Sequence, residues 1–387
     1  MKQILAFLQQ GLINAMGNRS SWIVCGLLLL NSGVVSAGSC KFDSSNPTGN
    51  LGLIATMPLS GGNLTVGRDV PVGAEVYRQT YSPSSELLVT CNGITTDVTE
   101  RNYFSRLPLP SANWNSGPYA GKVYQSGVPG IGVAIWRGAS VLPYDWNWGN
   151  CTGWTVTCTI RLYPFSNSMT VSLIKTGPVS AGTVNGANFP SIARDLISDT
   201  TLQAIRVNFV GSINIVSRTC STPDVSVPMG THIVNEFSGK NTFTPWIDFN
   251  IALNNCPAFN GYYQADGPIW TGSGSQGTVD NLNSRKNNTL QVRLDPTLAA
   301  INPSQGILAL NPSAQGNAPA ATGVGLQVAD SNGGPLSLAI LHASGITPRA
   351  QEGASYSIPL KARYIQTEDH VTAGPANATA TFTIDYY

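Results

Sequence analysis

Charge is scarce in this sequence. Only 11% of its 387 residues are Asp, Glu, Lys or Arg, and the formal net charge is +1, whereas an average soluble domain carries roughly a quarter. A nucleic-acid partner needs a basic face and an anionic membrane surface needs a Lys/Arg cluster; neither is present. Histidine numbers three: His232, His342 and His370. No G-x-S-x-G elbow occurs, which removes the usual nucleophile–base signature. Long apolar runs are also missing. The longest, Trp22–Leu30, falls well short of the roughly 20 residues of a membrane span. Helical periodicity is weak throughout; Ile192–Ile197 has room for one helical turn. What is abundant is turn formers, 40 Gly and 25 Pro, beside 42% hydrophobic residues, enough for a core.

The N-terminus is a targeting segment. Lys2 and Arg19 precede the apolar run, and Val35-Ser36-Ala37 is a small-residue cleavage signal, so residues 1–37 read as a secretory signal peptide. Cys25 leaves with it. Six cysteines remain: Cys40, Cys91, Cys151, Cys158, Cys220 and Cys256. An even count after export points to disulfides, with fifteen connectivities open. Metal is the rival, but Cys151 and Cys158 are spaced too widely for a zinc knuckle. A lipid on Cys40 is another, but Ala37 stands where a lipobox needs Leu. No cofactor or metal is expected.

The ordered stretches read as strands. Ile247, Phe249, Ile251 and Leu253 alternate with polar or small residues, as do Tyr356 to Tyr364, Val324 to Val328, and Val225, Val227 and Met229. Period 2 puts one face inward and predicts antiparallel sheets packed as sandwiches. Arg206–Val216 reads as a single strand-rich run, and a new pattern opens at Cys220. Division at Ser212 yields two pieces of similar size, 38–212 and 213–387, with four cysteines in the first and two in the second.

Most candidate motifs lack their context. Gly272-Ser273-Gly274-Ser275-Gln276-Gly277 matches G-x-G-x-x-G, but no helix pattern follows, so it reads as a flexible loop. Asp145, Asp195 and Asp199 are carboxylates without an evident pairing for glycoside hydrolysis. The aromatic residues are more informative. Five of the eight Trp are Trp114, Trp136, Trp146, Trp148 and Trp154. Tyr144-Asp145-Trp146-Asn147-Trp148-Gly149-Asn150 is the densest stretch. Sugar rings stack on aromatic faces while Asp and Asn meet their hydroxyls, and protein ligands also favour exposed Trp and Tyr. In a strand, Trp146 and Trp148 share one side, so burial in a core is the competing reading.

The final fourteen residues carry the strongest pattern. They begin at Gly374. Ala376, Ala378, Ala380, Phe382, Ile384 and Tyr386 then alternate with Asn377, Thr379, Thr381, Thr383 and Asp385. This resembles the C-terminal motif of subunits assembled by the chaperone–usher pathway: a Gly fourteenth from the end, alternating apolar residues and a penultimate aromatic. Ala321-Thr322-Gly323-Val324-Gly325-Leu326 and Pro359-Leu360-Lys361-Ala362-Arg363-Tyr364 resemble two further pilin strands. Cys220 and Cys256 resemble the pilin cysteine pair. A whole domain stands where an ordinary pilin carries its donor extension, a layout similar to the two-domain tip adhesins of type 1 and type 3 fimbriae.

The resemblance implies an all-β chain of two β-sandwich domains: a lectin-like receptor-binding domain, then an incomplete immunoglobulin-like pilin domain. It implies a non-enzymatic adhesin at the fimbrial tip, reached through the periplasm. Its partners would be a periplasmic chaperone, an outer-membrane usher, an adjoining subunit that lends a strand, and a receptor, glycan or protein. The lent strand would lie along an edge strand over 374–386, against the alternating set from Gly374 to Tyr386. Cys40–Cys91, Cys151–Cys158 and Cys220–Cys256 would be the pairs. Ile205–Val216 would be the first domain's final strand. Tyr144, Asp145, Trp146, Asn147 and Trp148 are the receptor candidates, with Asn92, which follows Cys91 where a loop borders the sugar pocket of the type 1 adhesin. A secreted β-sandwich glycan hydrolase and a structural tip subunit without a receptor are the alternatives.

Overall fold

A computed structural model describes residues 38–149, 151–153 and 155–387. The assigned signal peptide, Asn150 and Trp154 lie outside them.

Among the described residues the regular structure is almost wholly strand. In the first half a five-stranded sheet runs in the order Tyr144–Asn147, Thr99–Arg106, Ser191–Ile197, Thr201–Val210, Leu53–Pro58. A longer sheet is centred on Glu75–Pro83, Met169–Lys175 and Ile131–Arg137. Two three-stranded sheets accompany them. One joins Ser39–Phe42, Leu87–Asn92 and Thr157–Leu162; the other joins Gly182–Asn185, Ser212–Val216 and Asn63–Thr65. Their inward faces form one core, with Tyr77, Phe189 and Met57 fully buried.

The second half has its own core, around Ile251, Leu253, Val292, Leu360 and Tyr386. Ile247–Cys256, Ala354–Gln366, Val324–Asp330 and Ile307–Leu308 form one sheet, and His342–Ala343, Leu290–Pro296 and Ala380–Tyr386 form the other. The period-2 patterns at 247–253, 356–364 and 324–328 all fall in strands: in the first two one face packs inward while the other is more exposed, whereas Val324–Asp330 lies between two neighbours and is buried on both faces.

Four local expectations change. Ile192–Ile197 is strand, not a helical turn: it lies between two neighbours and is buried on both faces, so alternation disappears. The run Ile205–Val216 breaks at Gly211, whose φ is +76°, into Thr201–Val210 and Ser212–Val216. Gly272–Gly277 is a hairpin turn rather than a flexible loop, closing Ile269–Ser273 on Gln276–Asp280 with Gly274 at positive φ. Val225, Val227 and Met229 alternate but join no sheet. They border a groove, where no neighbouring strand offers them ladder hydrogen bonds.

That hairpin belongs to the second half by sequence but completes a sheet of the first. Ile269–Ser273 pairs in parallel with Glu75–Pro83, Ile269 opposite Thr80 and Trp270 opposite Tyr81. Trp270 is 1% exposed and stacks on Tyr81 at 5.8 Å between ring centroids. Tyr263 meets Tyr77 edge-on at 6.0 Å. Both residues belong to the first half's core, and residues 38–387 form one compact unit.

Among the described residues three disulfides are present: Cys40–Cys91, Cys151–Cys158 and Cys220–Cys256. Cys40 and Cys91 stand directly opposite on adjacent strands. No helix among the described residues is long and apolar enough to cross a membrane.

Candidate functional sites

Two cavities are built from residues singled out by sequence. The first opens beside Tyr144–Asn147, which adds to the edge of Thr99–Arg106 with Trp146 opposite Glu100. Its volume is about 610 Å³, and Tyr144, Trp146, Trp148 and Phe165 supply the aromatic wall. Trp146 is 60% exposed and Phe165 92%, so these rings are not core. Asp145 and Asn147 point elsewhere. Asp145 pairs with Arg101 at 3.4 Å, and Asn147 Oδ1 accepts from the Gly149 N–H. Asn92 is exposed at the end of Leu87–Asn92 and does not line the cavity.

Glu100, Arg137 and Arg194 form the polar floor, and the sequence pattern did not single them out. Glu100 Oε1 accepts from Asn102 Nδ2 at 2.8 Å and Arg137 Nη1 at 3.0 Å. Oε2 accepts from Arg194 Nη2 and from Trp148 Nε1 at 3.3 Å. Glu100 and Arg194 are both essentially unexposed. Burial alone would raise the Glu100 pKa, but the two guanidiniums hold it below the usual value. Burial lowers that of Arg194. Arg137 also donates to Tyr144 Oη at 2.9 Å and to the Ser166 carbonyl at 2.7 Å. The carboxylate therefore fixes Trp148 directly and Tyr144 through Arg137. No sequence pattern marks this floor: Glu100 stands among other charges in Thr99–Arg106, and Arg194 in a strand whose alternation is lost.

The second cavity, about 390 Å³, is an apolar groove. Ala376, Ala378, Ala380 and Phe382 form one wall, and Phe249, Ile251 and Val328 lie among the lining residues. The strand itself starts at Ala380, not at 374. Residues before it run extended, with the carbonyls of Pro375, Asn377 and Thr379 accepting from Ala321, Asn311 and Thr297. Gly374 lies so close to Pro319 that a Cβ would stand 2.2 Å from its carbonyl oxygen, which accounts for a residue with no side chain. Ile384 and Tyr386 are buried in the second core.

Ala380–Tyr386 is the last strand of its sheet, paired only with Leu290–Pro296. Tyr387 exchanges both backbone hydrogen bonds with Thr289, so the odd-numbered residues face that neighbour. By the alternation of an antiparallel pair, the N–H and C=O groups of Ala380, Phe382, Ile384 and Tyr386 face the open side. An unfilled edge beside an apolar groove is a template for another strand.

Residues 207–387 match the fimbrial protein family. The chain is 26% identical over 333 residues to a fimbria adhesin protein of Klebsiella pneumoniae, covering 84% of this chain and 89% of that one. A type-1 fimbrial protein subunit of Serratia marcescens is 28% identical over 208 residues, covering 50% of this chain and 96% of the relative. Among solved structures, the CupB6 tip adhesin of Pseudomonas aeruginosa covers 90% of this chain and 95% of its own at 16% identity, with a TM-score of 0.33. The receptor-binding domain of the adhesin MrkD1P of Klebsiella pneumoniae covers 48% of this chain and 99% of its own at 23% identity, with a TM-score of 0.30. The chain is thus similar to a fimbria adhesin over most of its length, and its second half to fimbrial subunits.

Proposed function

We propose that this chain is a fimbrial adhesin that attaches a bacterium to a receptor through its first half and is anchored in the fibre by its second. The observation that carries the reading is the open side of Ala380–Tyr386 above an apolar groove. A chain with such an acceptor edge, and a whole domain where a donor extension would be, ends a fibre. A periplasmic chaperone fills the groove before assembly at an outer-membrane usher, and an adjoining subunit fills it afterwards.

The receptor site is the aromatic cavity. Trp146 and Phe165 present exposed faces for a sugar ring or an apolar side chain, and Arg137 and Tyr144 offer donors beside them. The Glu100 floor bears against the hydrolase alternative. General acid catalysis needs a carboxyl with a raised pKa, whereas both Glu100 oxygens are occupied by donors and its pKa is lowered. The test is binding of the disulfide-intact chain from Gly38, with a donor strand supplied, to arrays of glycans and matrix proteins. Binding lost in Trp146→Ala and Phe165→Ala with folding intact supports the reading. Binding unaffected by both changes removes this cavity, and an array without any hit favours the structural tip subunit.

A further inference from the structure

One turn of the first half reaches the end of the acceptor edge. Arg68 Nη2 donates to the Ile384 carbonyl at 2.9 Å. The Asp69 N–H donates to the Tyr386 carbonyl at 3.2 Å, and the Tyr386 N–H donates to Asp69 Oδ2 at 2.9 Å. Arg68 also grips the Asp69 carboxylate through Nε, at 3.0 Å, and Nη2, at 3.1 Å. The contact leaves no room: a Cβ on Gly67 would stand 2.0 Å from the Tyr386 oxygen.

The turn is held from behind. Lys175 ends the strand Met169–Lys175 and is 3% exposed. Its Nζ donates to the Arg68 carbonyl at 2.6 Å and the Gly67 carbonyl at 3.3 Å. A buried ammonium whose partners are the carbonyls of one turn fixes that turn firmly. At the other end of the groove, Tyr364 Oη donates to the Ala376 carbonyl at 2.6 Å. Between these two stops the outward backbone groups of Ala378, Ala380 and Phe382 and the Ile384 N–H have no partner among the described residues.

We propose that the first half closes the last rung of the acceptor edge in cis. Arg68 and Asp69 stand in for the end of the missing strand, so a strand from another chain pairs over Ala378–Ile384 and stops there. The proposal rests on the reading that the groove accepts a strand. It goes further by assigning the seat a length, about seven residues or roughly 23 Å, and by giving the receptor-binding half a direct hold on the anchoring edge.

The test uses the chain from Gly38 carrying, after Tyr387, a flexible linker and an alternating Thr-Val strand of five, seven, nine or eleven residues. Melting temperature should rise up to seven residues and then level off. A native chain that still gains at nine overturns the proposal. If no length raises the melting temperature, the strand-accepting reading fails, and amide exchange then decides the cap separately. The Tyr386 amide should exchange slowly in the native chain and roughly tenfold faster in Asp69→Ala, while Asp385 is unaffected. An unchanged Tyr386 rate removes the cap.

Discussion

Glu75–Pro83 and Ala380–Tyr386 would both be sheet edges if each half folded by itself, and their fates differ. The first receives Ile269–Ser273 from the other half, and Trp270 enters the core with it. The second receives only the Gly67–Asp69 turn at its far end, and the rest of its open side borders a groove. One edge is closed within the chain; the other stays open along most of its length. The contrast makes the sequence-level halves unequal as folding units. The first borrows a strand from the other half, whereas the second has the open edge that we propose a partner fills.

The largest effect should come from taking back the borrowed strand. A chain truncated after Val216 loses Tyr263, Trp270 and the whole hairpin, and should be insoluble or molten, seen as lost near-UV dichroism. Trp270→Ala in the complete chain should cost about 3–5 kcal/mol, read from denaturant unfolding. A stable, monomeric 38–216 fragment would show that the hairpin is an ornament of the first half rather than part of its core.

The cavity floor comes next. Arg194→Met leaves Glu100 buried beside Arg137 alone, and removing one member of a buried pair typically costs about 3–5 kcal/mol. The same pair sets a pH dependence. Folded Glu100 binds its proton less readily than an unfolded glutamate of ordinary pKa 4.5. Its contribution is therefore complete above that value and is lost as pH falls through the lower folded pKa. Acid unfolding of Glu100→Gln should show a shallower dependence in this range. An identical acid profile would mean that the carboxylate is not selectively stabilised in the folded state.

How much of this was legible follows from what repeats along the chain. Alternation shows wherever a strand is buried on one face only, so Ile247–Cys256, Ala354–Gln366 and the residues from Ala376 to Tyr386 were visible. It vanishes where both faces are buried, which hid Ser191–Ile197 and its Arg194. The aromatic stretch Tyr144–Trp148 was visible by density, and its tryptophans line the cavity, but Phe165 lies apart in sequence and meets them only through the fold. Asn92, chosen by its place after Cys91, lies away from the cavity because Leu87–Asn92 belongs to a different sheet. The borrowed hairpin had no local sign: that Trp270 packs against Tyr81 is a pairing across nearly two hundred residues.

On the groove, Phe382→Asp should weaken capture by a chaperone and incorporation into fibres far more than Thr381→Asp. Phe382 lines the cavity, whereas Thr381 is exposed and on the other face. An uncovered Phe forfeits roughly 1.5–3 kcal/mol of burial, so the difference should appear in co-purification yields with the chaperone. Equal yields for the two variants would sever the groove from assembly.

The smallest effect on stability should accompany a decisive one on function. Trp146 is 60% exposed and no side-chain hydrogen bond holds its ring in place among the described residues, so Trp146→Ala should shift unfolding by no more than about 0.5 kcal/mol. Trp148 differs, because its Nε1 donates to Glu100; Trp148→Ala removes a donor from a buried carboxylate and should destabilise measurably, by about 1–3 kcal/mol. If the cavity holds the receptor, both variants lose adhesion, but only the second loses stability with it. Replacing Trp148 by Phe keeps the ring and drops the donor, which separates stacking from support of the floor. Adhesion retained in Trp148→Phe and absent in Trp146→Ala would place the receptor on the exposed aromatic faces. Adhesion retained in Trp146→Ala would move the receptor off this wall and leave the Glu100 cluster as a feature of folding alone.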